Sequence, residues 1–262
     1  GLGVAAGALL AGGTPAGGAP MKQVLGCLRR ADQDFHMIEP GDRVAVGVSG
    51  GKDSLLLLYA LSLYRKFSKA PFELAAFTLT MGLEPFDTSG VAALCEKLGV
   101  SYTVKKTDIG KIIFEERREK NPCSLCAKMR RGALNALARE HGYKKVALAH
   151  HQDDAVATLL LNLFFEGRIG SFKPVTYLDR SDITVIRPFI YVPEQQISYF
   201  ARKAELPVSA SNCPHNCLGK RQQMQAIIAA LEDLAPRGKD RATAALDRLF
   251  GGDWDGRQEE RP

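Results

Sequence analysis

The run Arg43-Val44-Ala45-Val46-Gly47-Val48-Ser49-Gly50-Gly51-Lys52-Asp53-Ser54 decides the fold. Its opening half is a short β-branched stretch that ends in a glycine-rich turn. Ser54 to Lys66, with LLLLYALSLY inside it, reads as a helix with a very apolar face. A turn that joins a strand to a helix offers unpaired backbone N–H groups and the positive end of the helix dipole, so it binds anions readily. Gly50 and Gly51 let the backbone take positive φ and approach phosphate oxygens. Ser49 and Ser54 add hydroxyls, Lys52 a point charge, and Asp53 a carboxylate suited to magnesium beside bound phosphate. The run is not a Walker A loop, because Val46 stands where that pattern needs glycine and Asp53 where it needs Ser or Thr. The plainer alternative is an ordinary glycine-rich turn.

Outward from this run, strand and helix signals alternate. Strands are predicted at Phe72–Thr80, Tyr102–Lys106, Lys145–Ala149 and Ile183–Pro188, besides the one at Arg43–Val48. Helices are predicted at Thr88–Leu98, Met129–His141, Asp154–Phe165 and Glu194–Lys203. Strands separated by helix-length segments pair in parallel through crossovers. The expected fold is α/β: a doubly wound, parallel, five-stranded sheet with helices on both faces and ligands at the carboxyl ends of its strands. From Ser211 the strand signals stop, and helices at Lys220–Leu234 and Asp240–Leu249 form a C-terminal tail. The expected organisation is an α/β domain over 21–210 and a helical segment over 211–250. Low-complexity, disordered stretches flank them at 1–20 and 251–262, and Met21 is a candidate true start.

The chain has 262 residues, 45% of them hydrophobic, and a net charge of +6. That is enough apolar matter for a substantial core. The positive charge is concentrated: Ser101 to His150 holds twelve Lys/Arg against five acids, a local excess of +7. Such a cluster is the footprint of phosphate binding, or else a solvated helix face. No apolar run is long enough to cross a bilayer, and no leader precedes the cysteines, so a cytoplasmic protein without a membrane partner is expected.

Six cysteines occur. Cys27 and Cys95 sit on apolar helical stretches and read as core packing. Cys123-Ser124-Leu125-Cys126 lies just ahead of a predicted helix, and Cys213 and Cys217 stand far downstream. Thiols in this arrangement can form a closed four-thiolate zinc site, hold an iron–sulfur cluster, or relay persulfide without metal. Ala149-His150-His151-Gln152-Asp153-Asp154 follows the fourth strand, where Asp153 and Asp154 could hold magnesium or polarise a substrate, and Asp154 could cap the next helix.

SGGKDS at 49–54 resembles the PP-loop of the N-type ATP pyrophosphatases, and with Cys-x-x-Cys and a distant Cys it resembles the tRNA 2-thiocytidine synthetase (TtcA/TtuA-like) family. The resemblance implies an adenine nucleotide α-hydrolase-like (HUP-type) fold. It also implies ATP-dependent tRNA thiolation: adenylation of the C2 oxygen of a pyrimidine, cytidine first, followed by sulfur transfer. ATP, magnesium and a 4Fe-4S cluster are the implied cofactors. Cys123, Cys126 and Cys213 would hold the cluster, with Cys217 a fourth candidate. Ser49, Gly50, Gly51, Lys52, Asp53, Ser54 and His151 would bind nucleotide. Catalysis would fall to Asp53, Asp153, Asp154, Cys123 and Cys213. The motif at 150–154 resembles the family's HHxDD, with Ala157 where an acid is usual. Leu163–Pro174 resembles a substrate-facing loop, Phe77, Thr78 and Thr80 an adenine site, and Arg187-Pro188-Phe189 with Glu194 a stretch where the arginine binds phosphate or pairs with Glu194. Arg117, Arg118, Lys128, Arg130 and Arg131 would bring RNA phosphates to the sulfur donor. Expected partners are tRNA, a sulfur donor such as a cysteine desulfurase, and a second copy in a homodimer. Two other readings remain open: a different PP-loop tRNA ligase (2-thiouridine-forming or lysidine-type), and a zinc-stabilised, nucleotide-responsive RNA-binding protein.

Overall fold

The computed structural model describes residues 19–82, 87–117, 122–209 and 220–256. Strand β1 (Arg43–Gly47) lies inside the sheet, parallel to β2 (Glu73–Thr80) on one side and β4 (Lys145–Ala147) on the other. Strand β3 (Ser101–Lys106) pairs with β2, and β6 (Ile183–Ile186) with β4, both in parallel. The order is β3-β2-β1-β4-β6-β5. All five expected strands are present, but the sheet has six. The sixth, β5 (Val175–Leu178), is an antiparallel edge strand on β6, so the purely parallel five-stranded sheet is corrected to a mixed one. Four residues carry little periodic signal, and the tight turn that follows, with Asp182 left-handed at φ 48°, hides the hairpin.

Alternation along β1 explains the layers. Val44 and Val46 point into one core with α2 (Lys52–Tyr64), whereas Ala45 points into the other with Phe77, Leu134 and Leu137. The first face is covered by α1 (Ala19–Phe35), α2, α3 (Ser89–Leu98) and α7 (Glu194–Lys203). The second is covered by α5 (Pro122–Glu140). Helix α2 packs on the sheet and on α1, α3 and α7, so Leu55, Leu56, Leu57, Leu58 and Leu61 are all fully buried. That surrounds it with apolar partners and explains why its sequence lacks a polar stripe. Cys95 and Cys27 pack in or against this core, as expected, and burial pushes both thiols above their ordinary pKa, Cys95 to about 11.

Short helix α4 (Ile109–Lys111) continues as a π-turn over Ile112–Arg117. Helix α6 (Gln152–Leu161) widens in the same way over Asn162–Glu166. Helices α8 (Lys220–Leu234) and α9 (Gly238–Phe250) pack on α6, with Met224 and Ile228 against Val156 and Ala157. Leu246 of α9 and Trp254 join the main core.

Trp254 corrects the expectation of a frayed end for the part that is described, residues 251–256. It is 0% exposed, donates Nε1–H to Asp247 (2.7 Å), and meets the Phe35 ring edge-on. Its carbonyl accepts the Ser171 N–H, and a Cβ on Gly170 would collide with the Asp255 carbonyl. One aromatic side chain in a polar tail gives no periodicity, which is why the sequence conceals it. The expected tails at 1–18 and 257–262 lie outside the described residues. Trp254→Ala leaves a cavity where the tail, α1 and the 168–173 loop meet, and it should cost about 3–5 kcal/mol in denaturant unfolding. A loss below about 1 kcal/mol would show that the tail adds nothing to the core.

Candidate active site

The sheet's winding reverses between β1 and β4, and crevices at such a switch point lie outside the carboxyl ends of the strands. Ser54, at the start of α2, ties the turn after β1 together. Its hydroxyl accepts the Ser49 N–H (3.1 Å), donates to the Gly51 carbonyl (3.0 Å) and lies 3.2 Å from the Ser49 hydroxyl. Gly50 is left-handed at φ 82°, which demands glycine. Gly51 is extended at φ −76°, so positive φ is required at one of the two glycines only. A Cβ on Gly51 would meet nothing nearer than 3.5 Å, so the fold itself tolerates one there. Lys52 bridges Asp53 (2.7 Å) and Glu194 (3.0 Å). Burial opposes its charge, but hydrogen bonds and attraction from these two carboxylates outweigh it and hold its pKa above the ordinary value.

The acids after β4 divide. Helix α6 begins at Gln152, with His151 as its N-cap, two residues earlier than expected. Asp154 accepts the His151 N–H (3.1 Å) as the N3 member of a reciprocal capping box, so the N-cap position expected of it falls to His151. Asp154 also lines the cavity below. Asp153 is turned away: Lys239 of α9 lies 2.8 Å from one of its oxygens, and the Glu194 N–H donates to the other (2.8 Å). His151, expected to bind nucleotide, is buried beside both carboxylates, and its neighbour His150 faces the cavity instead. Alternation past β4 was the signal that could have chosen His150.

The cavity, of about 530 Å³, is lined by Ser49, Asp53 and Ser54 of the loop, by Asp154, His150 and Phe172, and by Ala127, Arg130 and Arg131 of α5. Phe77 also lines it, whereas Thr78 is buried, with its hydroxyl donating to the Val48 carbonyl (2.9 Å). Arg187 completes the wall at 8% exposure. It does not take Glu194, which pairs with Lys52. It donates Nη1–H to the Lys173 carbonyl (2.6 Å) and to Thr176 (3.1 Å), and sits over the Phe172 ring at 5.2 Å. Its buried Nε has no partner, and no carboxylate of the described residues forms an ion pair with it. Burial, then Arg131, draws its pKa down to about 10, so it remains a cation at neutral pH, with no carboxylate counter-charge among the described residues. A buried cation of this kind calls for an anion.

Cys123 and Cys126 lie inside the first turn of α5 rather than ahead of it, after Pro122 at the first helical position. Cys123 is exposed and Cys126 half-buried, and Ala127, the next residue, lines the cavity. A helix N-terminus favours thiolate, the form that binds metal. Cys213 and Cys217 lie outside the described residues, as do Arg118 and the side chain of Arg117. The chain reaches that stretch from Ser209, whose N–H and hydroxyl both donate to the Gly50 carbonyl (3.0 and 3.3 Å). Of the basic cluster, Lys128, Arg130 and Arg131 are exposed beside the cavity, while Lys145 is spent on Asp42 (2.6 Å). Among the described residues, no three His, Cys, Asp or Glu side chains converge on one metal position, and no helix is long and apolar enough to cross a membrane.

A family model described as a PP-loop domain matches residues 27–212. A tRNA-cytidine(32) 2-sulfurtransferase of Geobacter metallireducens is 42% identical over 222 residues, which cover 83% of this chain and 86% of the relative. The protein of that name from Geobacter sulfurreducens is 39% identical over 231 residues, covering 87% and 90%. Among solved structures, the U34-tRNA thiolase NcsA from Methanococcus maripaludis, determined with its 4Fe-4S cluster, superposes with a TM-score of 0.73 at 28% identity, covering 88% of this chain and 78% of that one. By these matches the chain belongs to the PP-loop domain family and, within it, to the family of the tRNA-cytidine(32) 2-sulfurtransferases.

Proposed function

We propose that this chain is an ATP-dependent tRNA sulfurtransferase that converts a cytidine to 2-thiocytidine. One observation carries the reading. A single cavity is walled on one side by the phosphate loop and on the other by α5, the helix whose first turn holds Cys123 and Cys126. That arrangement supports a reading in which the nucleotide and sulfur chemistries meet in one place. Cytidine is favoured over uridine as target because the relatives named for cytidine are 39–42% identical to this chain, against 28% for the uridine thiolase.

In this reading Ser49, Gly50, Gly51, Lys52 and Ser54 hold the pyrophosphate end of ATP, with Lys52 exchanging its carboxylate partners for phosphate. Asp53 and Asp154 fit the usual magnesium arrangement, in which one or two carboxylates act together with phosphate oxygens. Arg187 balances the α-phosphate. The C2 oxygen of the base attacks the α-phosphorus and pyrophosphate leaves. A sulfur nucleophile then attacks C2 and AMP leaves, carrying the oxygen and leaving a thiocarbonyl. Cys123, Cys126 and Cys213 would hold an iron–sulfur cluster, with Cys217 as a further candidate ligand, and when bound it supplies that sulfur. The two described thiols fit such a group: they share a helix turn, are accessible, and adjoin the cavity. Lys128, Arg130 and Arg131 would contact RNA phosphates, and the exposed Phe164 and Phe165 suit stacking by bases. The same reading takes a sulfur donor such as a cysteine desulfurase, a cytoplasmic setting and a homodimer.

The test uses protein purified without oxygen and given tRNA, ATP, magnesium and sulfide. Thiocytidine and AMP should form in equal amounts, with iron bound to the protein. Cys123→Ala should abolish the thionucleoside while ATP binding persists. Undiminished activity without the clustered cysteines would favour a lysidine-type ligase, and a colourless protein with one zinc would favour an RNA-binding module. Arg187→Met should weaken AMP binding by about 2 kcal/mol, roughly thirtyfold, and leave adenosine binding unchanged. Equal losses for both ligands would remove the α-phosphate role.

A further inference from the structure

Asp153 and Asp154 are adjacent on α6, so their side chains leave the helix roughly 100° apart. Asp154 faces the cavity, and Asp153 is held on another side of the helix by a residue more than eighty positions away. Lys239 reaches it from the first turn of α9 with its amine 2.8 Å from Oδ1, and the two side chains are 12% and 11% exposed. The contact is one of a pair. The next residue of α9, Asp240, accepts a hydrogen bond from Gln152, the residue before Asp153 (2.9 Å). The turn that presents both is itself fastened, since Glu232 accepts the N–H groups of Arg237 (2.6 Å) and Lys239 (3.1 Å), and Arg237 is held left-handed at φ 65°. Strain of that kind persists only where the surroundings over-determine it. Asp153 also accepts the Glu194 N–H, and Glu194 takes Lys52 of the phosphate loop, so one chain of contacts runs from α9 to the nucleotide turn.

We propose that Lys239 is a positioning residue of the ATP site: by taking up Asp153 it leaves Asp154 as the carboxylate of this pair offered to the magnesium–nucleotide. This rests on the reading of the cavity as an ATP site. The residue lies beyond the 27–212 match of the PP-loop model, so the C-terminal helical pair supplies part of the site's geometry. Without Lys239 a buried carboxylate loses its counter-charge, which is far costlier than removing both partners together. It must then turn towards the cavity or disturb Glu194 and Lys52.

The experiment uses the full chain as Lys239→Met, Lys239→Arg, Asp153→Asn and the double variant Lys239→Met/Asp153→Asn. Three quantities are read: binding of a fluorescent ATP analogue at graded magnesium, tRNA thiolation, and melting temperature. Lys239→Met and Asp153→Asn alone should each shift the magnesium dependence of binding and lower thiolation by about 10–100-fold, as loss of outer-shell partners does. Lys239→Arg and the neutral double variant should recover most of both. Should Lys239→Met fail to fold, the double variant still decides. The inference is overturned if Lys239→Met binds and thiolates like the wild type. It is equally overturned if the double variant melts normally yet stays as impaired as the singles, because Asp153 would then be needed in its own right. A wild-type protein that neither binds the analogue nor thiolates tRNA would instead sink the functional reading.

Discussion

The hydroxyl of Ser54 is the constraint on which the site depends. It takes the Ser49 N–H, gives its proton to the Gly51 carbonyl and touches the Ser49 hydroxyl, so the loop holds its shape before any phosphate arrives. Preorganised donors at a helix N-terminus need not be rearranged when charge develops on them. The fold keeps them there: α2 is buried on every side, and β1 is flanked by β2 and β4, so neither end of the turn can drift.

A second layer of charge surrounds this loop. Lys52, Asp53, Glu194, Asp153 and Lys239 form a sequence of short contacts that joins α2, α6, α7 and α9. Arg187 stands apart from it, buried and, among the described residues, without a carboxylate in ion-pair contact. The difference is functional in kind. Charges that neutralise one another fix backbone elements in place, whereas a cation left uncompensated in a cavity wall is ready for an anion from outside.

Much of this was legible in the sequence. The strand–turn–helix at Arg43–Lys66 gave the fold class and placed a glycine turn at the carboxyl end of β1, because both depend on local backbone pattern. Asp154, in the first turn of α6 and lining the cavity, was legible as a candidate from its place just after β4. What escaped depended on long-range packing. Strand β5 was too short to show a period, Trp254 gave no pattern in a polar tail, and Lys239 gains meaning only when α9 meets α6. Asp153 and Asp154 look equivalent on paper, and only the fold separates them, whereas alternation past β4 already distinguishes His150 from His151. Arg187 was seen as ambiguous, and its partner Glu194 turned out to belong to Lys52.

The central claim is that ATP activates the C2 oxygen of a tRNA base beside a thiolate-bound sulfur source. Its most direct test follows that oxygen. With tRNA carrying oxygen-18 at C2 of the target cytidine, single turnover in unlabelled water should deliver the isotope to AMP, read by mass spectrometry. Label in water or retained in the base, with unlabelled AMP, would contradict the account.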